Sequence, residues 1–212
     1  EEEMYCNKEP VSASFTNFLA LLGQKINLKG WDSFCGGLDT TAGLTGSHAV
    51  FTTWRSFSVM FHVSTLLPHS EMDIQQVEKK RHIGNDIVII VFQDEGSEPF
   101  DPACISSEYV HCIVVVRACK VKKSIPRYQF GVCKKVGVPE YLPRLPQPAV
   151  FNHGEEFREY LLCKCVNSEV ASYEGKAMLA SRLRRTREIL LRNIQEAFPE
   201  PARRGRSMTS FS

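Results

Sequence analysis

Two short runs of apolar, mostly β-branched residues, Ile87–Phe92 and Ile113–Val116, constrain this chain more than any other feature. Alternate side chains of a strand point to opposite faces of a sheet, so a strand that is apolar at every position is covered on both sides. Both runs fall far short of the ~18 apolar residues of a membrane span and read as buried strands. A chain of 212 residues is long enough for one domain of ordinary size, or for one domain with a small annex.

The flanking pattern supplies the rest of the architecture. Phe15, Phe18, Leu19 and Leu22 recur at helical spacing in Ser14–Leu22, and Gly23 marks a stop. The Gly- and Thr-rich stretch Gly30–Gly46 reads as loop. Ala49–Trp54 and Phe57–Ser64, separated by Arg55-Ser56, predict a hairpin closed by Pro68. Met72–Ile83 predicts a short amphipathic helix, with Ile74 and Val77 inward and Lys79 and Lys80 pointing away. Strands are expected at Ile87–Gln93, Tyr109–Ala118 and Arg127–Val136, the last two joined by a lysine-rich turn. The four prolines of Pro139–Pro148 exclude regular structure there. Two helices follow. Asn152 and Glu155 are spaced like a capping box for the first, which places Phe157, Leu161 and Cys165 on one face. The second runs from about Lys176 to Ala197, with Leu179, Leu183, Leu190 and Ile194 on one stripe. The order predicts an α/β fold, a mixed sheet flanked by helices, over residues 1–200, with 201–212 a basic, disordered tail.

Charge and cysteine usage exclude several classes. A formal charge of +2 is too small for a protein that binds nucleic acid through a basic face. The eight cysteines form no Cys-x-x-Cys pair, so buried free thiols in a reducing compartment are expected in place of a zinc site or a disulfide framework. The chain opens at Glu1 without a charged, apolar leader, and reads as a segment of a longer cytoplasmic polypeptide. No Gly-x-x-x-x-Gly-Lys-Ser/Thr loop occurs, so the chain itself is not expected to bind a nucleotide. His62 and His111 stand in apolar strands and read as satisfied core histidines.

One stretch is chemically dense: Lys79-Lys80-Arg81-His82-Ile83-Gly84-Asn85-Asp86. Its spacing alone fits an ordinary helix end, since cations favour a helix C-terminus, Gly84 suits a left-handed cap and Asn-Asp suits a turn. The wider segment from Phe61-His62-Val63-Ser64-Thr65-Leu66-Leu67-Pro68 to Val91-Phe92-Gln93 resembles the RapGAP family, the activators of Rap-type small GTPases. Tuberin and Ral-directed activators are more distant relatives. Gly36-Gly37-Leu38-Asp39, Leu44-Thr45-Gly46 and Pro148-x-Val150-Phe151 with Glu156-Phe157-Arg158-Glu159 extend the resemblance over roughly residues 15 to 195.

The resemblance implies an asparagine thumb, supplied in trans to a GTP-bound Rap protein, that positions the attacking water. Asn85 occupies the thumb position, and His82 matches the histidine that supports it. Lys80 and Arg81, and on the late helix Arg185 and Arg187, match basic positions that meet the GTPase. No cofactor and no metal are implied, because the partner carries GTP and magnesium. A cytoplasmic protein recruited to membranes where Rap resides is expected, with homodimerisation open through regions outside these residues. Cys35 stands where relatives often carry arginine, which leaves a catalytically weak binding module, or an activator of Ral or Rheb, as alternatives.

Overall fold

The computed structural model describes residues 2–119, 125–174 and 178–198, and divides into two compact units, Glu1–Ala177 and Met178–Ser212. In the first unit a short helix α1 (Glu2–Tyr5) precedes α2 (Ala13–Leu22), whose first turn is capped by Ser12 Oγ accepting from the Phe15 amide at 3.0 Å. Strands β1 (Gln24–Asn27), β2 (His48–Trp54) and β3 (Phe57–Phe61) form an antiparallel sheet in that order. The expected hairpin joins β2 to β3, with Trp54 opposite Phe57 and Arg55 in the left-handed region at φ 52°.

After α3 (Val77–Ile83) the chain builds a second sheet, β4 (Val88–Gln93), β5 (Cys112–Cys119), β6 (Arg127–Lys134) and β7 (Val150–Asn152). β4 runs parallel to β5, and the other pairs are antiparallel. The long helix α4 (Glu155–Glu174) completes the unit. The α/β class is as expected, but two sheets stand where one mixed sheet was anticipated. β1 carries one buried residue, Ile26, among polar ones, and β7 has three residues, so neither writes a period into the sequence.

The largest core cluster draws on both sheets and two helices: Phe18 and Leu22 of α2, Val50 of β2, Val114 and Val116 of β5, and Phe157 and Leu161 of α4. Ile113 and Ile89 enter a separate cluster with Val110, so β5 is covered on both faces, as its unbroken apolar run requires. Each fully buried side chain of this kind contributes about 1.5–3 kcal/mol.

Three expectations need correction. Asn152 is not a helix cap: it ends β7, opposite Arg127, and Gly154 directly precedes α4. All eight cysteines are free thiols as expected, but only Cys112 is fully buried: Cys6 is exposed on the N-terminal segment, and Cys133 lies in the exposed last two residues of β6. The helix expected over Met72–Ile83 begins only at Val77, and its orientation is reversed. Ile74 and Val77 are exposed and Lys79 is buried, because residues 71–76 are turns and cannot extend a helical stripe.

The second unit contains α5 (Met178–Ala197), on which Leu190 and Ile194 are exposed. The lysine-rich turn at 120–124, the start of the late helix at 176–177 and the tail at 201–212 lie outside the described residues. No helix among the described residues is long and apolar enough to cross a membrane.

Candidate functional site

α3 has seven residues, too few for a helix to persist in water on its own. It is held from both ends. At its start Gln76 adopts the left-handed conformation, and the Asp73 carboxylate accepts from the Val77 amide at 2.7 Å. At its end the chain tightens: Gly84 N bonds to Lys80 O at 2.8 Å, and the amides of Asn85 and Asp86 each reach back three residues. Gly84 is not the left-handed cap its sequence suggested, since its φ is −68°. Glycine is required by closeness: a Cβ there would sit 2.6 Å from the Lys80 carbonyl oxygen. Ser107 Oγ donates to the Gly84 carbonyl at 2.6 Å and ties the turn to the segment before β5.

Asn85 projects from this turn with an exposed side chain. Its Nδ2 donates to the Arg81 carbonyl at 2.7 Å, satisfying one of the backbone acceptors that a helix end leaves open. A carbonyl can only accept, so the nitrogen of the carboxamide must face Arg81 and the oxygen is the outward atom.

The next residue, Asp86, meets a histidine 24 positions earlier in the chain. His62 Nδ1 lies 2.9 and 3.1 Å from the two carboxylate oxygens of Asp86, and Nε2 lies 2.9 Å from the Gly36 carbonyl. Burial disfavours charge on this ring, but the Asp86 hydrogen bond, its negative charge and the Gly36 carbonyl together outweigh burial, so His62 titrates above its ordinary value. His82 packs edge-on against His62 with ring centroids 5.3 Å apart. Burial, then the charges of His62 and Arg81, push His82 below its ordinary value.

The loop that offers Gly36 is itself rigidly built. The Asp39 carboxylate accepts from the amides of Leu44, Thr41 and Ala42 and from the Thr41 hydroxyl, at 2.8–3.1 Å. The Leu44 bond leads these in holding the Asp39 carboxyl well below the usual carboxylate range. Cys35 is partly exposed, and its carbonyl accepts from the Leu38 amide at 3.0 Å.

The basic residues of the motif diverge. Arg81 is exposed, 3.8 Å from Glu78. The Lys80 ammonium lies 5.5 Å from the ring centroid of Tyr5, and the fully buried Lys79 donates to the Asn7 carbonyl. Arg185 and Arg187 are exposed on α5, in the second unit. Asn85, His82, Arg81 and Lys80 therefore share one helix and its end. His62, read from sequence as a core histidine, lies one residue beyond β3 with both ring nitrogens bonded at this site. His111 does match that reading, being buried with Nδ1 against the Tyr109 carbonyl. Among the described residues, no group of three or more His, Cys, Asp or Glu is arranged to hold a metal.

Comparison with known proteins gives this geometry a family. The chain is 42% identical over its whole length to human GTPase-activating Rap/Ran-GAP domain-like protein 3, of which it spans 21%. It is 40% identical, over 92% of its length, to mouse signal-induced proliferation-associated 1-like protein 1, of which it spans 11%. The chain thus corresponds to about a fifth or less of these curated relatives. Among solved structures, the GAP domain of TSC2 superposes with a TM-score of 0.66 at 29% identity, over 80% of this chain and 90% of that one. The Rap/ran-GAP family profile matches residues 4–188, and the chain belongs to that family.

Proposed function

We propose that this chain stimulates GTP hydrolysis by a Rap-type small GTPase in its GTP-bound state, with Asn85 as a thumb supplied in trans. The observation that carries this reading is the exposed Asn85 carboxamide, fixed at the end of a short basic helix by its bond to the Arg81 carbonyl. Its outward oxygen can accept a hydrogen bond from the attacking water, while Nδ2 can exchange the Arg81 carbonyl for a γ-phosphate oxygen. Phosphoryl transfer depends on positioning and charge stabilisation more than on covalent help, so one well-placed carboxamide is sufficient chemistry. The GTPase brings the nucleotide and magnesium.

In this reading His82, kept neutral by its surroundings, supports the thumb. Arg81 is exposed and supplies charge toward the GTPase, with Lys80 one position behind it against Tyr5. Arg185 and Arg187 add positive charge from α5. Such charges speed encounter and set partner choice more than they raise turnover. A cytoplasmic protein recruited to membranes where Rap resides fits the same reading.

Single-turnover hydrolysis on GTP-loaded Rap tests it. Asn85→Ala is expected to keep the fold and most binding but to lower the stimulated rate by ~10²–10³, with the effect in turnover and little in half-saturation. Near-normal stimulation by this variant overturns the thumb assignment. Stimulation of Ral or Rheb in place of Rap would correct the partner, and binding without stimulation of any of them would make the chain a binding module.

A further inference from the structure

We infer that His62 is a positioning residue for the thumb: clasped between Asp86 and the Gly36 carbonyl, it fixes the turn from which Asn85 projects. The inference rests on the assignment of Asn85 above and adds a residue that does not itself face the GTPase.

The two partners of His62 decide its protonation. A backbone carbonyl only accepts, and a carboxylate only accepts, yet each lies 2.9 Å from a different ring nitrogen. Both nitrogens must therefore carry hydrogens, and the ring is an imidazolium in the clasped state. Only 11% of its side chain is exposed, so water cannot replace either partner freely. Losing the proton forfeits one of the two bonds. The clasp thus joins the residue after Asn85 to a loop that Asp39 already holds rigid.

Several other groups bear on this ring. His82 of α3 faces it directly, with Arg81 and Glu78 acting on His82 in turn. From α4, Glu169 lies near enough to Asp86 for that charge to raise its carboxyl, after burial as the main cause. The folded His62 titrates above its unfolded value, so the clasp is complete below about pH 6.5 and is lost as pH rises through the higher folded value. His82 behaves oppositely: its folded value is depressed, so protonating it as pH falls below about 6.5 opposes folding. The turn is best held with His62 charged and His82 neutral.

The amide of an asparagine falls close to Nδ1 of a histidine, and that of a glutamine close to Nε2. His62→Asn therefore keeps the Asp86 bond, and His62→Gln keeps only the Gly36 bond. Single-turnover hydrolysis on GTP-loaded Rap, between pH 6 and 9, is measured alongside NMR of the Asn85 side-chain amide and thermal unfolding. His62→Gln is expected to lower the maximal stimulated rate about tenfold with half-saturation unchanged, and to shift and broaden the Asn85 amide signal. His62→Asn should recover a large part of both. Stimulation over intrinsic hydrolysis should decline with rising pH in the native chain and stay flat in His62→Asn. Equal rates in all three proteins, with Asn85→Ala inactive, leave the thumb standing and overturn the clasp. Equal losses in both variants, matched by equal losses of stability, reduce His62 to a structural role and also overturn it. Should the native chain stimulate no GTPase, the functional reading fails. The Asn85 amide signal still decides the clasp, an unchanged signal in His62→Gln overturning it.

Discussion

At the scale of single residues, the turn carrying Asn85 is fixed by contacts that leave little room for exchange. Gly84 sits in ordinary right-handed backbone, so any residue could adopt its dihedrals, but an added Cβ would come 2.6 Å from the Lys80 carbonyl oxygen. That oxygen is backbone in a helix held at both ends and cannot rotate away. Gly84→Ala is expected to cost about 1–3 kcal/mol, as overpacking does, and to lower stimulation because Asn85 is the next residue. Urea unfolding checks the first effect and single-turnover hydrolysis the second; a stable, fully active variant would show that the turn relaxes cheaply. In the sequence this stretch is dense in polar types, but its spacing alone fits an ordinary helix end, and it is the family resemblance that singles it out as a site. It could not show why Gly84 is glycine, since closeness to a carbonyl leaves no trace in residue order. Nor could it separate His62 from His111, because both stand in apolar surroundings and only the fold brings Asp86 to one of them.

At the scale of elements, α3 depends on what covers it. The N-terminal segment lies across it: Tyr5 is buried beneath the Lys80 ammonium, Asn7 accepts from Lys79 and from Ser64 Oγ, and Lys8 pairs with Glu71 at 3.0 Å. Ile83 packs at the opposite end against two core clusters. The sequence period places Lys79 outward because lysine is rarely buried, and because residues 72–76, which are turns, fall into the expected stripe. The cover comes from residues more than seventy positions away, which periodicity does not register. Lys79→Met keeps most of the buried stem but leaves the Asn7 carbonyl without its donor. It is expected to cost on the order of 1–3 kcal/mol and to speed amide exchange along Val77–Ile83 more than in β5. Uniform exchange across both elements would mean that the N-terminal segment does not stabilise α3 in particular.

At the scale of the whole molecule, the buried core and the exposed arginines of α5 fall in different units of the chain. Every buried cluster of the described residues lies between Phe18 and Ala171, within the first unit, and its long-range strand pairings close there. Those residues supply both sheets, α4 and the Asn85 turn, so the first unit contains what is needed for a cooperative fold and carries the turn from which Asn85 projects. The described side chains of α5 are exposed, with arginines at 184, 185, 187 and 192. The family match nevertheless continues to residue 188, which brings Arg185 and Arg187 inside it. A chain ended after Ala177 is therefore expected to melt within a few degrees of the full chain, where about 1 kcal/mol corresponds to roughly 2–4 °C at this size. Its maximal stimulated rate should stay near that of the full chain. The concentration for half-maximal stimulation should rise several-fold and respond less to added salt, because long-range charge attraction is what has been removed. Thermal unfolding and hydrolysis titrations at two ionic strengths separate these effects. A fall in maximal rate with unchanged half-saturation would move α5 from docking into the catalytic step, and Arg185 would then be the first position to substitute.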